Sequence, residues 1–215
     1  MTTTMAAESQ QPKHTISVIL WGGDKPGEDP PAHIALAVHE SVSQPKICHL
    51  HHARCPDQVQ FIYESRPEQL FDADPAPRGR CNLRANLSTE EAQSANKILE
   101  RFGADGTELH YFGEGNCHNW AAGAVGVLEK AGLAMQGDGL VWTAMIGLGP
   151  SAMEAWWKDI AMREWVACGA FNRKRPDVVD AKWDEEVVVG KVGSDGVVSN
   201  FKDRVGRLQQ LLGGG

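Results

Sequence analysis

His33-Ile34-Ala35-Leu36-Ala37-Val38-His39 alternates along its whole length, with Ile34, Leu36 and Val38 on one face and His33, Ala35, Ala37 and His39 on the other. Successive side chains of an extended chain point to opposite faces, so this stretch predicts a strand. Its small Ala35/Ala37 face leaves room for a helix to lie across it. Upstream, the β-branched run from Thr15 to Trp21 predicts a buried strand. Gly22 to Pro31 between them is crowded with Gly, Pro and Asp and reads as a loop. Downstream, Lys46 to His52 alternates too, bringing Ile47, His49 and His51 to one face. Val59 to Glu64 should pair with it across a turn at Ala53–Asp57. The first half therefore predicts an antiparallel meander.

Helical spacing takes over in the middle. Ser88-Thr89-Glu90-Glu91 is a capping box, and Ala92, Ala95, Leu99 and Phe102 continue it as one apolar stripe ended by Gly103. A short strand at Glu108–Phe112 and a turn at Gly113-Glu114-Gly115-Asn116 precede a second helix. That helix starts at Cys117 or His118, runs to Ala131 and is stopped by Gly132. Its Ala121, Ala124, Val125 and Leu128 face is small enough to pack close to a sheet. Pro150 to Cys168 predicts a third helix. Val187–Val192 with Gly196–Val198 predicts a hairpin, and Phe201 to Leu212 a last amphipathic helix. The expected organisation is a flexible arm over 1–13, a core over 14–132, a C-terminal extension over 133–212 and a short tail over 213–215. The fold class is α+β.

Composition narrows the function. The 215 residues carry 21 Lys and Arg against 28 Asp and Glu, a net charge of −7. Neutralising phosphates needs a basic surplus, so nucleic acid is not an expected partner. No run approaches the ~20 apolar residues of a membrane span, and the polar N-terminus lacks the apolar core of a secretory signal. A cytoplasmic location is expected. The five cysteines, Cys48, Cys55, Cys81, Cys117 and Cys168, are odd in number and form no C-x-x-C pair. A disulfide scaffold or four-cysteine zinc site is not indicated, and at least one thiol should be free.

Cys117 is the thiol best placed to react. It follows a Gly-rich turn and opens a helix, where free N–H groups and the positive dipole end favour an anion and lower a thiol pKa. Its own backbone N–H is also a candidate oxyanion donor. A thiolate needs a base, and His33 at the head of its strand is the candidate. His49, one strand later, is a candidate to orient that imidazole, with His51 as the substitute. Each residue also has an ordinary reading: Cys117 as a small core residue, His33 as a strand-end histidine, His49 as a surface histidine.

The order of strand histidine, next-strand histidine and helix-opening Asn-Cys resembles the circularly permuted papain-like hydrolases, which include lecithin:retinol acyltransferase-like and NlpC-like enzymes. The resemblance rests on Pro31-Ala32-His33-Ile34-Ala35-Leu36-Ala37-Val38, on Ile47-Cys48-His49-Leu50, and on Gly115-Asn116-Cys117-His118-Asn119-Trp120. The last of these also looks like uncharacterised fungal members of that group. The resemblance covers roughly residues 15–132. It implies an antiparallel sheet packed on a nucleophile-bearing helix, with Cys117 as nucleophile, His33 as base and His49 as the orienting residue. It further implies acyl transfer from an amide or ester of a small molecule or peptide, by hydrolysis or to an amine or alcohol, without a cofactor. The interval between His33 and His49 is longer than the family's, and residues 133–215 have no counterpart in its minimal fold.

Two other readings compete. Cys48-His49-Leu50-His51-His52 with Cys55 is rich in ligand types, but its spacing fits no common zinc layout and no metal is expected. A catalytically inactive binding protein on the same fold would draw on the Trp-rich stretch from Trp142 to Trp183.

Overall fold

A computed structural model describes residues 12–23, 32–42, 45–71, 77–106, 108–160 and 164–167. Six strands form one sheet: β1 (His14–Trp21), β2 (His33–Glu40), β3 (Ile47–Arg54), β4 (Ile62–Leu70), β5 (Gly79–Leu87) and β6 (Trp165–Ala167). Every pairing is antiparallel, in the order β4-β3-β2-β1-β5-β6. The four helices are α1 (Thr89–Asp105), α2 (Cys117–Lys130), α3 (Asp138–Ala144) and α4 (Pro150–Ala155), the last running into a π-helical turn at Trp156–Ile160. The expected α+β class and the β1-to-β4 meander are both present.

β1 and β2 lie at the centre and bury both faces, as their apolar or small residues allow. Ile16, Val18 and Leu20 of β1 with Ile34, Leu36 and Val38 of β2 form one side of the main core. Ala92, Ala95 and Leu99 of α1 and Trp120, Ala121, Ala124, Val125 and Leu128 of α2 complete it. The second helix therefore covers the Ile34/Leu36/Val38 face, not the small Ala35/Ala37 face where the sequence left room for it. The larger aliphatic area wins, because apolar burial scales with the area removed from water. Ala35 and Ala37 pack instead with Ile19, Cys48 and Leu50 on the other face.

Several boundaries move. The Ser88–Glu91 capping box forms, but α1 runs through Gly103 and ends at Gly106, whose φ of 73° is left-handed. Gly103 serves close packing: a Cβ there would lie 2.3 Å from the Tyr63 ring. β3 extends to Arg54, and β4 starts only at Ile62 and carries Pro67, which an edge strand accommodates. The expected strand over 108–112 is reduced to isolated bridges, among them Gln60↔Tyr111. β5 and α3 were not expected. The third predicted helix is present over residues 150–160, whereas Trp165–Ala167, expected within it, pairs with Gly79–Cys81 as a strand. The predicted 187–198 hairpin and 201–212 helix lie outside the described residues, as do Cys168 and Trp183. Among the described residues no helix is long and apolar enough to cross a membrane.

Leu99 has no exposed surface, whereas Leu140 of α3 is 55% exposed. Leu99→Ala should cost about 2–5 kcal/mol of unfolding free energy, and Leu140→Ala less than about 0.5 kcal/mol. Urea denaturation of the two variants beside the parent chain measures the contrast.

Candidate active site

α2 begins at Cys117 for a local reason. Asn116 caps it: the His118 N–H donates to Asn116 Oδ1 at 2.8 Å, and the Asn116 N–H donates to Asn119 Oδ1 at 3.0 Å. Cys117 is then the first helical residue, only 5% exposed. Its sulfur lies against the backbone N–H groups of Ile34, Cys117 and His118, which favour the thiolate. Burial outweighs all three and raises the thiol above its ordinary value. The expected lowering at a helix N-terminus is thus reversed.

The Ile34 contact follows from strand register. The Leu20 carbonyl accepts from the Arg78 N–H at 2.7 Å, so Leu20 turns its polar groups away from β2. Its register partner Ile34 accordingly turns its own N–H toward β3. The β2–β3 ladder, however, spans only Leu36↔His51 to His39↔Cys48. Beyond Leu36 the ladder ends, and the Ile34 N–H is among the groups that favour the Cys117 thiolate.

Side chains join the two strands there. His33 Nε2 is 2.9 Å from His52 Nδ1, and His52 Nε2 is 3.0 Å from Glu64 Oε2. Arg66 donates to that same carboxylate oxygen at 2.7 Å, and Arg54 Nε approaches it to 2.7 Å. The His33 ring also leans on Trp21, its register partner, at 5.6 Å between centroids. Burial, then His52, His118 and Arg66, depress the His33 imidazole to about 3. His52 is lowered as well, chiefly by burial, against the opposing pull of Glu64. Burial alone would raise Glu64, but Arg66, His52 and Arg54 together hold it below the usual carboxylate range. Both imidazoles are neutral near pH 7 and the carboxylate is ionised.

His33 is therefore joined to His52, and to neither His49 nor His51. Alternation along β3 sends those two to the helix-covered face. His49 Nε2 lies 2.7 Å from Ser65 Oγ. His51 Nδ1 lies 2.8 Å from the Tyr63 hydroxyl, and its Nε2 lies 2.9 Å from Asn96 Oδ1 of α1. The two rings stack on each other at 4.4 Å. The same alternation disperses the ligand-rich 48–55 stretch, and among the described residues no group of three or more His, Cys, Asp or Glu could hold a metal ion. No hydrogen bond joins the Cys117 sulfur to an imidazole among the described residues; backbone N–H groups are its neighbours. His118 is buried beside it, depressed by that burial to about 4, and its Nδ1 meets no partner among the described residues.

His52 and Glu64 are the residues that sequence reasoning missed. They sit directly opposite each other across β3 and β4. Their signal was available only through the register: His52 shares the face of His33 because His51, one residue away, pairs with Leu36. No protein-family model matches the chain, and it matches no curated protein and no solved structure.

Burial of neutral histidines makes stability depend on pH with a definite sign. His33 is held at about 3 and His39, His51 and His118 at about 4. In the unfolded chain each titrates near ~6.5. Unfolding thus takes up protons below that value, and stability falls as pH drops from ~6.5 toward 4. Urea unfolding at pH 7 and pH 5 should give a clearly lower midpoint at pH 5. An unchanged or higher midpoint would contradict the buried, neutral imidazoles.

Proposed function

We propose that this chain is a cysteine-dependent hydrolase or acyl transferase of the permuted papain-like type, acting on an amide or ester of a small molecule or peptide. One observation carries the reading: the N–H of the peptide that follows His33, that of Ile34, is among the groups that favour the Cys117 thiolate, beside the end of the β2–β3 ladder where His33 and His52 are joined. Nucleophile and base candidates come from distant parts of the chain and converge on one short stretch of backbone. His52 takes the orienting place that the sequence had offered to His49 or His51.

In this mechanism His33 accepts the proton of the Cys117 thiol as the sulfur attacks the substrate carbonyl. The backbone N–H groups around the sulfur are candidates to stabilise the developing oxyanion. His33 returns the proton to the departing alcohol or amine, leaving a thioester on Cys117. Water, or a second alcohol or amine, attacks the thioester; His33 takes its proton and passes it to the leaving thiolate. The resting pair is a neutral thiol and a neutral imidazole, so proton transfer accompanies attack rather than preceding it. A second reading, a catalytically inactive binding protein, is favoured by the absence of a Cys117–imidazole hydrogen bond among the described residues.

Small activated aryl esters separate the two. The first reading expects a thioester on Cys117, seen by intact and peptide mass spectrometry and lost in Cys117→Ser. His33→Ala should slow it about a hundredfold and His52→Ala about tenfold or more, while His49→Ala leaves it within about twofold. Acylation of Cys55 as fast as Cys117, unaffected by His33→Ala, would establish the binding protein instead.

A further inference from the structure

The carboxylate at the end of the His33–His52 chain constrains where its protons sit. Glu64 is ionised and can only accept, so His52 Nε2 carries a hydrogen and donates it. A neutral imidazole has one N–H, hence His52 Nδ1 is left with its lone pair. Across the 2.9 Å contact, His33 Nε2 must then be the donor, because two lone pairs facing each other would repel. His33 Nδ1 is thereby bare. Imidazole geometry makes Nδ1 the ring nitrogen nearer its own main chain, and the N–H of the next residue, Ile34, is among the groups that favour the Cys117 thiolate.

We infer that Glu64, pinned between Arg54 and Arg66, is a positioning residue that sets the tautomers of His52 and His33 and leaves His33 Nδ1 as an unprotonated acceptor. Glu64 acts only through His52. Arg66 donates to it in hydrogen-bond alignment and Arg54 adds an ion contact, both at 2.7 Å. These cations keep the carboxylate ionised, and so an obligate acceptor. The charged or titratable groups that act on His33 are His52, His118 and Arg66. Of these only His52 makes a hydrogen bond with its ring among the described residues, so the tautomer is dictated from that one side. The consequence for acylation rests on the function proposed above; the tautomers themselves do not.

The test is nitrogen NMR of the full chain labelled with 15N-histidine at pH 7, with His33→Gln and His52→Gln supplying assignments. Both rings should show a protonated Nε2 and an unprotonated Nδ1. Glu64→Ala should return His33 and His52 to tautomer mixtures and slow Cys117 acylation by about tenfold. Glu64→Gln, which keeps a neutral acceptor and the side-chain shape, should fall between and guards against a folding defect in the alanine variant. A protonated His33 Nδ1 in the parent chain, or tautomers unmoved in both Glu64 variants, overturns the inference. Tautomers as expected with no acylation of Cys117 by any ester would leave the inference standing and defeat the proposed function.

Discussion

The period of two along β2 governs the rest of the molecule. Because side chains alternate, Ile34, Leu36 and Val38 must all face one way and His33, Ala35, Ala37 and His39 the other. The aliphatic set is the larger, so α1 and α2 settle on it and the main core forms there. A slip of one residue would turn His33 into that core and Ile34 out of it. The full-length β1–β2 register, eight residue pairs from His14↔Glu40 to Trp21↔His33, prevents such a slip. Registers of β3 and β4 follow by pairing, and with them the direct opposition of His52 and Glu64.

Where the β2–β3 ladder ends, the constraint turns into chemistry. A buried backbone N–H without a partner costs about 1–3 kcal/mol. The Ile34 N–H is among the groups that favour the Cys117 thiolate, which relates the start of α2 to the start of β2. Beyond the end of the ladder, two imidazoles and a carboxylate replace backbone pairing with a chain of side-chain bonds. The His49–His51 stack beneath α1 has a different character: both ring nitrogens of His51 are occupied by Tyr63 and Asn96 inside a closed interface. That pair holds β3 and β4 to α1, and His51 has no nitrogen left for a proton transfer.

Much of the fold was legible because it depends on local pattern. The β1 to β4 meander, the Ser88 cap, and the helix opening at Cys117 all follow from residue type and spacing over a few positions. What was not legible depends on contacts distant in the chain. β5 reads as Gly79-Arg80-Cys81-Asn82-Leu83, with small residues, Arg and Asn that weaken a strand pattern; pairing with β1 makes it a strand. Gly103 reads as a stop, yet it is a contact point of α1 for Tyr63 of β4. The site divides the same way. Cys117 and His33 stand out by position on their elements. Choosing His52 over His49 and His51 required the β2–β3 register, because three histidines within one short strand differ only in which face they occupy.

The balance at Cys117 pits a helix terminus against burial, and magnitudes decide it. A helix N-terminus contributes about 0.3–1 kcal/mol to a nearby anion, and up to about 2 kcal/mol when partly buried. Full burial can move an ionisable group by several pKa units, each about 1.4 kcal/mol. Burial therefore wins, and a preformed thiolate–imidazolium pair is not the resting state. In the proposed mechanism, even an unshifted thiol near 9 giving its proton to an imidazole at about 3 makes that transfer uphill by about 8 kcal/mol. A turnover of ~10 per second corresponds to a barrier of about 16 kcal/mol, so the transfer fits within it only as one part of the climb. In the proposed mechanism that requirement gives the unprotonated His33 Nδ1 its importance. A weak base that is already in the accepting tautomer and already anchored avoids any further cost of reorganisation. The Glu64–His52 chain supplies that condition, and it costs nothing in exposed charge because Arg54 and Arg66 are already paired to the same carboxylate oxygen.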